Sequence, residues 1–142
     1  MTLLEFILAA MHALAPQRDH TALGGAIVHV IEAEGCLVKG SDCERRSAAL
    51  ALAVGYRESG FRLDAIGDQG RSLCAFQVQS TDRTLLTDAR ACALEGYRRL
   101  RESLIACRGS IAAYAAGTCG SERGKRIDRD RKALASRILG GR

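Results

Sequence analysis

The chain has 142 residues, of which 47% are hydrophobic, and this is enough for one folded domain with a substantial core. No run of about 18 or more apolar residues occurs, so we expect no transmembrane segment. The net charge of +5 predicts an anionic partner, although charge alone does not select among a cell-wall polymer, a lipid surface and a nucleic acid. The oligomeric state stays open.

The N-terminal part, residues 2–34, predicts two helices. Thr2 and Glu5 have the spacing of a capping box, and apolar residues then recur at helical spacing until Pro16 ends the first helix. A second apolar stripe stops near Gly35. The first stripe contains an acid and no Lys or Arg precedes it, so it does not form a clear signal peptide.

The next helix is the one around which we expect the fold to be built. Ser41 and Glu44 have the spacing of another capping box, and the helix is predicted from Arg46 to about Arg57. Its residues are apolar on every face, which is typical of a helix buried at the centre of a domain. It ends beside Glu58, where the negative end of the helix dipole raises the pKa of a carboxyl.

Residues 56–78 combine glycine-rich turns with a short apolar run. The segment from Ala65 to Val78 predicts a small β-hairpin, and Gln77 is an amide within its buried edge. An acid at a helix end, followed by glycine turns and a buried amide, is an arrangement that presents a carboxyl to a polar substrate in a cleft.

Three further helices are predicted in the C-terminal half. A long helix runs from Asp88 to Cys107, a short apolar one from Ile111 to Ala116, and a basic one over residues 125–139. The charges of the basic segment from Arg123 to Arg137 are expected to lie mostly on a solvated helix face, with weak binding to an anionic cell wall as the second interpretation.

The six cysteines indicate an oxidising compartment. Cys92 and Cys107 lie on one predicted helix, about 22 Å apart, which is too far for a disulfide. Among the 15 possible connectivities we consider two pairings separately: Cys36 with Cys43, which would close a short loop, and Cys74 with Cys119. Six buried cysteines without any bond are the alternative.

Neither a cofactor nor a nucleic acid is expected. His12, His20 and His29 are the only histidines, and they lack the spacing of metal ligands. The chain has basic residues but no aromatic or base-reading module of the kind that binds nucleic acid.

Four motifs resemble, in their order, those of the lysozyme-like superfamily, and most closely the soluble lytic transglycosylases and related phage murein hydrolases. Glu58-Ser59-Gly60-Phe61 matches Glu-Ser-Gly-Phe, and Ala65-Ile66 matches the Ala-Val/Ile pair that follows. Cys74-Ala75-Phe76-Gln77 is similar to Gly-Leu-Met/Phe-Gln, and the stretch 112–117 is similar to Ala-Ala-Tyr-Asn-Ala-Gly. The resemblance covers about residues 45–120.

The resemblance implies a mainly α fold of the α+β lysozyme-like kind. About six to seven helices would surround a buried central helix, with a small β-hairpin beside the cleft. A single domain, 1–142, would carry the catalytic motifs in 45–120. The implied location is periplasmic, extracellular or delivered to the cell wall by a phage.

The implied function is cleavage of peptidoglycan glycan strands at the bond between N-acetylmuramic acid and N-acetylglucosamine, with Glu58 as the catalytic residue. Such cleavage needs a proton on the departing oxygen, and a Glu in an apolar site stays protonated long enough to supply it. Alternatively, Glu58 is a surface residue paired with Arg57 or Arg62.

The reaction has two possible outcomes. A hydrolytic lysozyme needs a second acid, for which Asp64 and Asp68 are candidates and Asp68 is the better placed. Lytic transglycosylases, as the resemblance implies, need none, because Glu58 acts first as acid and then as base on the sugar's own 6-hydroxyl. The lack of a clear second acid favours the lyase.

The resemblance also implies three substrate-binding residues besides Asp68. Gln77 would bond an N-acetyl group or hydroxyl, Ser59 would contact the glycan or its peptide, and Tyr114 would orient Glu58. Their structural alternatives are a satisfied buried amide, a local backbone bond and a core tyrosine.

Two departures from the family pattern, Cys74 for glycine and Ala115 for asparagine, motivate a different function. In this alternative the same fold serves as a non-catalytic cell-wall-binding or virion structural protein.

Overall fold

The computed structural model describes residues 1–140, which contain six α-helices and one three-stranded antiparallel sheet. The helices are α1 Leu3–Leu14, α2 Thr21–Glu34, α3 Cys43–Ser59, α4 Ala89–Ala106, α5 Ala112–Ala116 and α6 Glu122–Ile138. The strands are β1 Ile66–Gly67, β2 Ser72–Leu73 and β3 Val78–Gln79. The expected mainly α architecture with a small β element is confirmed, and the last two residues of the expected 1–142 domain lie outside the described ones.

Helix α3 lies at the centre, as its composition predicted. Every residue from Ser47 to Gly55 is buried, and α1, α2 and α6 pack against this helix. Small side chains such as Ala49 and Ala53 let α6 approach closely. This apolar packing fixes α3, and the position of Glu58 in its last turn is fixed with it.

The two predicted capping boxes differ in outcome. At α1, the Glu5 amide donates to Thr2 Oγ1 at 3.1 Å and the Thr2 amide donates to Glu5 Oε2 at 2.7 Å, as expected. At α3 the expected box is wrong, because Asp42 takes a left-handed conformation with φ 56° and caps nothing with its side chain. The helix therefore begins at Cys43, three residues earlier than predicted.

Three disulfides are present: Cys36–Cys43, Cys74–Cys92 and Cys107–Cys119. The first was predicted, whereas the pairing of Cys74 with Cys119 and the alternative of six unbonded cysteines are wrong. Cys74 and Cys92 are both fully buried, and the bond ties the turn after β2 to the first turns of α4. The disulfides are compatible with an extracellular or periplasmic location.

The predicted hairpin is a sheet of three short strands in the order β1-β2-β3. Leu73 pairs with Ile66 on one side and with Val78 on the other. The connection between β2 and β3, which we name the Cys74–Gln77 turn, is buried apart from Gln77 and carries positive φ at both of its ends. Within the described residues, no helix is both long and apolar enough to span a bilayer.

Candidate active site

A cleft of about 750 Å³ lies between the end of α3, the sheet, and helices α4, α5 and α6. Of the residues predicted to form a site, Glu58, Asp68, Gln77 and Tyr114 line this cleft. Ser59 is not among its lining residues. The fold therefore brings together four of the five predicted site residues, which come from three separate parts of the chain.

Glu58 is set into the wall of the cleft and is not a surface residue. Its side chain is 24% exposed, and burial raises the pKa of the carboxyl above its usual value. The nearby charge of Asp68 raises this pKa further, while the guanidinium groups of Arg131 and Arg123 lower it. Burial is the largest of these effects, so the protonated form of Glu58 is favoured relative to a carboxyl in water.

Arg131 is the ion-pair partner of Glu58, and this contact was not predicted from the sequence. Its Nη2 lies 3.4 Å from Glu58 Oε1, and its Nη1 lies 2.7 Å from Asp130 Oδ2. The side chain is 14% exposed, and its Nε is buried without a hydrogen-bond partner. The interpretation of the basic segment as a solvated helix face is therefore wrong for Arg131. The alternative in which Glu58 pairs with Arg57 or Arg62 is wrong too, because these arginines pair with Asp130 and Asp64.

A signal for this contact was present in the sequence. Arg123, Ile127 and Arg131 follow one another at intervals of four residues, and all three line the cleft. Side chains at this spacing lie on the same side of a helix. We call this stripe the α6 face; it could have been identified as one surface of the helix, but not assigned to the cleft.

The Cys74–Gln77 turn places Gln77 in a second wall of the cleft, and polar side chains from two helices bond to the backbone of this turn. Ser59 Oγ donates to the Ala75 carbonyl at 2.8 Å, and the Tyr114 hydroxyl donates to the Phe76 carbonyl. Ser59 therefore holds the turn against the end of α3 instead of facing the substrate. Its alternative, a local backbone bond, is present as well, since the Arg62 amide donates to Ser59 Oγ at 3.0 Å.

The Tyr114 hydroxyl does not donate a hydrogen bond to Glu58, contrary to the predicted orienting role. The hydroxyl donates to the Phe76 carbonyl, and the backbone amide of Tyr114 donates to Ser103 Oγ at 3.1 Å. Burial first, and then the charge of Glu58, raise the pKa of Tyr114 far above its usual value. The tyrosine therefore stays neutral beside Glu58 and fixes the wall of the cleft.

Gln77 keeps one polar atom for a ligand. Its Nε2 donates to the Ala65 and Cys74 carbonyls, at 3.1 and 2.9 Å. Its Oε1 lies so close to Gly67 that a Cβ there would be 2.3 Å away, so the glycine is required for this side-chain position. The donor side of the amide is thus used by the backbone, and only the Oε1 acceptor remains for the substrate.

The two candidate second acids are separated by the structure. Asp68 lines the cleft, and its Oδ2 accepts a hydrogen bond from Ser72 Oγ. Asp64 pairs with Arg62 at 3.7 Å and is not among the lining residues. A further carboxyl in the cleft, Glu102 on α4, was not predicted.

The cleft has more cations than carboxylates, which suits an anionic substrate. Arg71, Arg99, Arg123 and Arg131 line it together with Glu58, Asp68 and Glu102. Among residues 1–140 no group of three or more side chains has an arrangement suited to a metal ion. Of the histidines, His20 is buried with its Nε2 2.7 Å from the Ala15 carbonyl oxygen.

Comparison of the chain with protein-family models, with curated proteins and with solved structures gives no match. The lysozyme-like assignment thus stays a prediction from the four motifs.

Proposed function

We propose that this protein cleaves the glycan strands of murein, with Glu58 as the single acid and base of a lytic transglycosylase reaction. The observation that carries the proposal is the position of Glu58, a largely buried carboxyl in the wall of a polar cleft. Burial raises its pKa, as general-acid catalysis at a glycosidic oxygen requires. The ordered motifs of residues 45–120 provide independent support.

The proposed reaction has two proton transfers, one from Glu58 and one back to it. Protonated Glu58 donates to the bridging oxygen while the bond from that oxygen to the muramyl C1 breaks, and a positively charged sugar ring develops. The 6-hydroxyl oxygen of the same sugar then bonds to C1, and its proton passes to the Glu58 carboxylate. No water is consumed, Glu58 returns to its acid form, and the product is an anhydro sugar.

The remaining groups of the cleft have supporting roles in this proposal. The Oε1 of Gln77 accepts a hydrogen bond from a sugar N–H or O–H. Arg131 holds the Glu58 side chain in one orientation through its Nη2. The Cys74–Gln77 turn, held by Ser59 and Tyr114, keeps the Gln77 wall at a constant distance from the acid.

The test is the release of soluble fragments from purified murein sacculi by the wild type and by Glu58→Gln. We expect the substitution to reduce release by about 10³-fold, because it removes the acid and the base together. A melting curve shows whether the variant is folded. A folded Glu58→Gln protein that clears sacculi at the wild-type rate contradicts the proposal.

Hydrolysis with Asp68 as the second acid is the alternative outcome, and the presence of Asp68 in the same cleft favours it. Mass spectrometry of the released fragments separates the two reactions, since a lyase leaves anhydro ends and a hydrolase leaves reducing ends. Asp68→Asn should stop a hydrolase, whereas in a lyase it only removes a charge that raises the pKa of Glu58.

A non-catalytic cell-wall-binding or virion structural protein is the second candidate. The contact between Glu58 and Arg131 favours it, because an ion pair stabilises the ionised, non-donating form of the acid. This candidate predicts that the protein pellets with sacculi and releases no fragments from them.

A further inference from the structure

The two arginines of the α6 face differ in how many hydrogen bonds and ion pairs their guanidinium groups make. Arg131 is held from both sides by Asp130 and Glu58. Arg123 is exposed, and within the described residues 1–140 its side chain makes one hydrogen bond, a 3.4 Å contact from Nη1 to the Ala115 carbonyl. A guanidinium has five N–H donors, so most of those on Arg123, a residue that lines the cleft, have no acceptor among residues 1–140.

Among residues 1–140 no carboxylate forms an ion pair with Arg123, whereas two of the three other arginines of the cleft have such a partner. Arg99 pairs with Glu95 at 3.3 Å, and Arg131 pairs with Asp130. The third, Arg71, donates from its Nε to the Asp68 carbonyl at 3.1 Å. Arg123 is nevertheless close enough to Glu58 to lower its pKa. An anion bound to Arg123 would therefore lie in the cleft, within electrostatic reach of the proposed acid.

We propose that Arg123 is the binding site for a carboxylate carried by the substrate strand, and that the protein prefers carboxylated glycan to neutral glycan for this reason. The inference rests on the proposed function, since it names the substrate class of the same cleft. Arginine suits this ligand because its planar N–H groups match the two oxygens of a carboxylate. Ile127, between the two arginines on the α6 face, separates the binding group from the residue that holds Glu58.

Occupation of Arg123 would also act on the acid. The charged groups around Glu58 are Arg131, Asp68 and Arg123, with the neutral Tyr114 beside them. The negative charge of a carboxylate on Arg123 offsets one of the two cations that lower the pKa of Glu58, and the pKa therefore rises. A carboxylated strand thus promotes the protonated state that its own cleavage needs, and a neutral strand does not.

The test measures binding in the Glu58→Gln background, so that the strands stay intact. Three ligands are titrated by calorimetry: murein strands with peptides, the same strands stripped of peptides, and stripped strands whose remaining carboxyl groups are converted to amides. Each is titrated against Arg123→Gln and against Arg126→Gln. Arg126 is an exposed arginine of the same helix that does not line the cleft, which makes it the matched control.

We expect Arg123→Gln to weaken binding of carboxylated strands by about fivefold, the upper range for an exposed ion pair. Binding of amidated strands should not change, and Arg126→Gln should affect neither. A loss confined to peptide-bearing strands assigns the carboxylate to the peptide, whereas a loss that persists after stripping assigns it to the sugar. Equal affinities of the two variants for carboxylated strands would overturn the inference.

The outcome is separable from that of the proposed function. Cleavage of sacculi by the wild type, combined with unchanged binding in Arg123→Gln, removes the carboxylate site and leaves the enzyme. Selective weakening in Arg123→Gln without any cleavage by the wild type keeps the carboxylate site and removes the enzyme, in favour of a binding protein.

Discussion

The two walls of the cleft are held by different forces. The Cys74–Gln77 turn is fixed by a disulfide, by hydrogen bonds that Ser59 and Tyr114 donate to its carbonyls, and by a bond from Gln77 to the Ala65 carbonyl. The α6 face is held by charges, and some of its donors have no acceptor. Backbone hydrogen bonds and a disulfide preserve distances, whereas unneutralised charges set the protonation state and the affinity for anions. One wall therefore determines the geometry of the site and the other its electrostatics.

This comparison predicts that substitutions in the Cys74–Gln77 turn have their largest effect on the free energy of unfolding. Phe76 is 1% exposed and packs so closely on α4 that a Cβ on Gly96 would lie 2.5 Å from its ring. Phe76→Ala should lower the free energy of unfolding by about 3–5 kcal/mol, because it empties this packed position. Chemical denaturation measures the loss. Ile105→Ala, at a 74% exposed position, should change stability by less than about 0.5 kcal/mol.

The position of the α6 face depends on one glycine. A Cβ on Gly124 would lie 2.8 Å from the Ala112 carbonyl oxygen, so Gly124→Ala must push α6 away from α5. We expect a loss of about 1–3 kcal/mol, together with weaker binding of anionic strands. Gly25→Ala, also within a helix but with open space around it, should instead gain about 0.5–1 kcal/mol. Equal shifts in denaturation midpoint would argue against the close approach of α6 to α5.

The sequence predicted the parts of the fold that depend on neighbouring residues. The capping box of α1 joins Thr2 to Glu5 and forms as expected. The burial of α3 follows from its own apolar composition. The predicted box at α3 fails because the disulfide of Cys43 and the left-handed Asp42 determine that helix start.

The contacts that define the site join distant parts of the chain, and for that reason they were not predictable. Arg131 and Glu58 are 73 residues apart, and only the packing of α6 on α3 brings them together. Likewise, no local pattern indicates that Cys74 faces Cys92 instead of Cys119. The acid could thus be chosen from its motif, but its electrostatic environment required the tertiary structure.

Tyr114 and Tyr97 form a pair that tests the role of the turn. The Tyr114 hydroxyl donates to the Phe76 carbonyl in the wall, and the Tyr97 hydroxyl donates to the Gly35 carbonyl away from the cleft. Replacing either with Phe should cost about 1–3 kcal/mol of stability, since a carbonyl loses its partner. Only Tyr114→Phe should slow the release of murein fragments. Equal activities in the two variants would show that the hydrogen bond to the wall has no part in the reaction.

The smallest expected effect is the dependence of stability on pH, and it tests most directly how charges of the α6 face act on Glu58. Because the folded pKa of Glu58 is raised above that of an unfolded Glu, about 4.3, its protonated form contributes stability at low pH. That contribution is lost as the pH rises through the folded pKa, when a buried carboxyl must ionise. The wild type should therefore lose stability relative to Glu58→Gln as the pH rises from about 4.3 to the folded pKa, as measured by the difference in melting temperature.

Arg131 sharpens this prediction, since its charge lowers the pKa that burial raises. In Arg131→Gln the folded pKa of Glu58 should rise further, so that the loss relative to the double variant with Glu58→Gln is larger and extends to a higher pH. The basic limb of the cleavage profile should move upward in the same direction, because the acid keeps its proton longer. Arg126→Gln should leave both profiles in place. A basic limb that moves downward in Arg131→Gln would mean that Arg131, and not burial, keeps Glu58 in its working state.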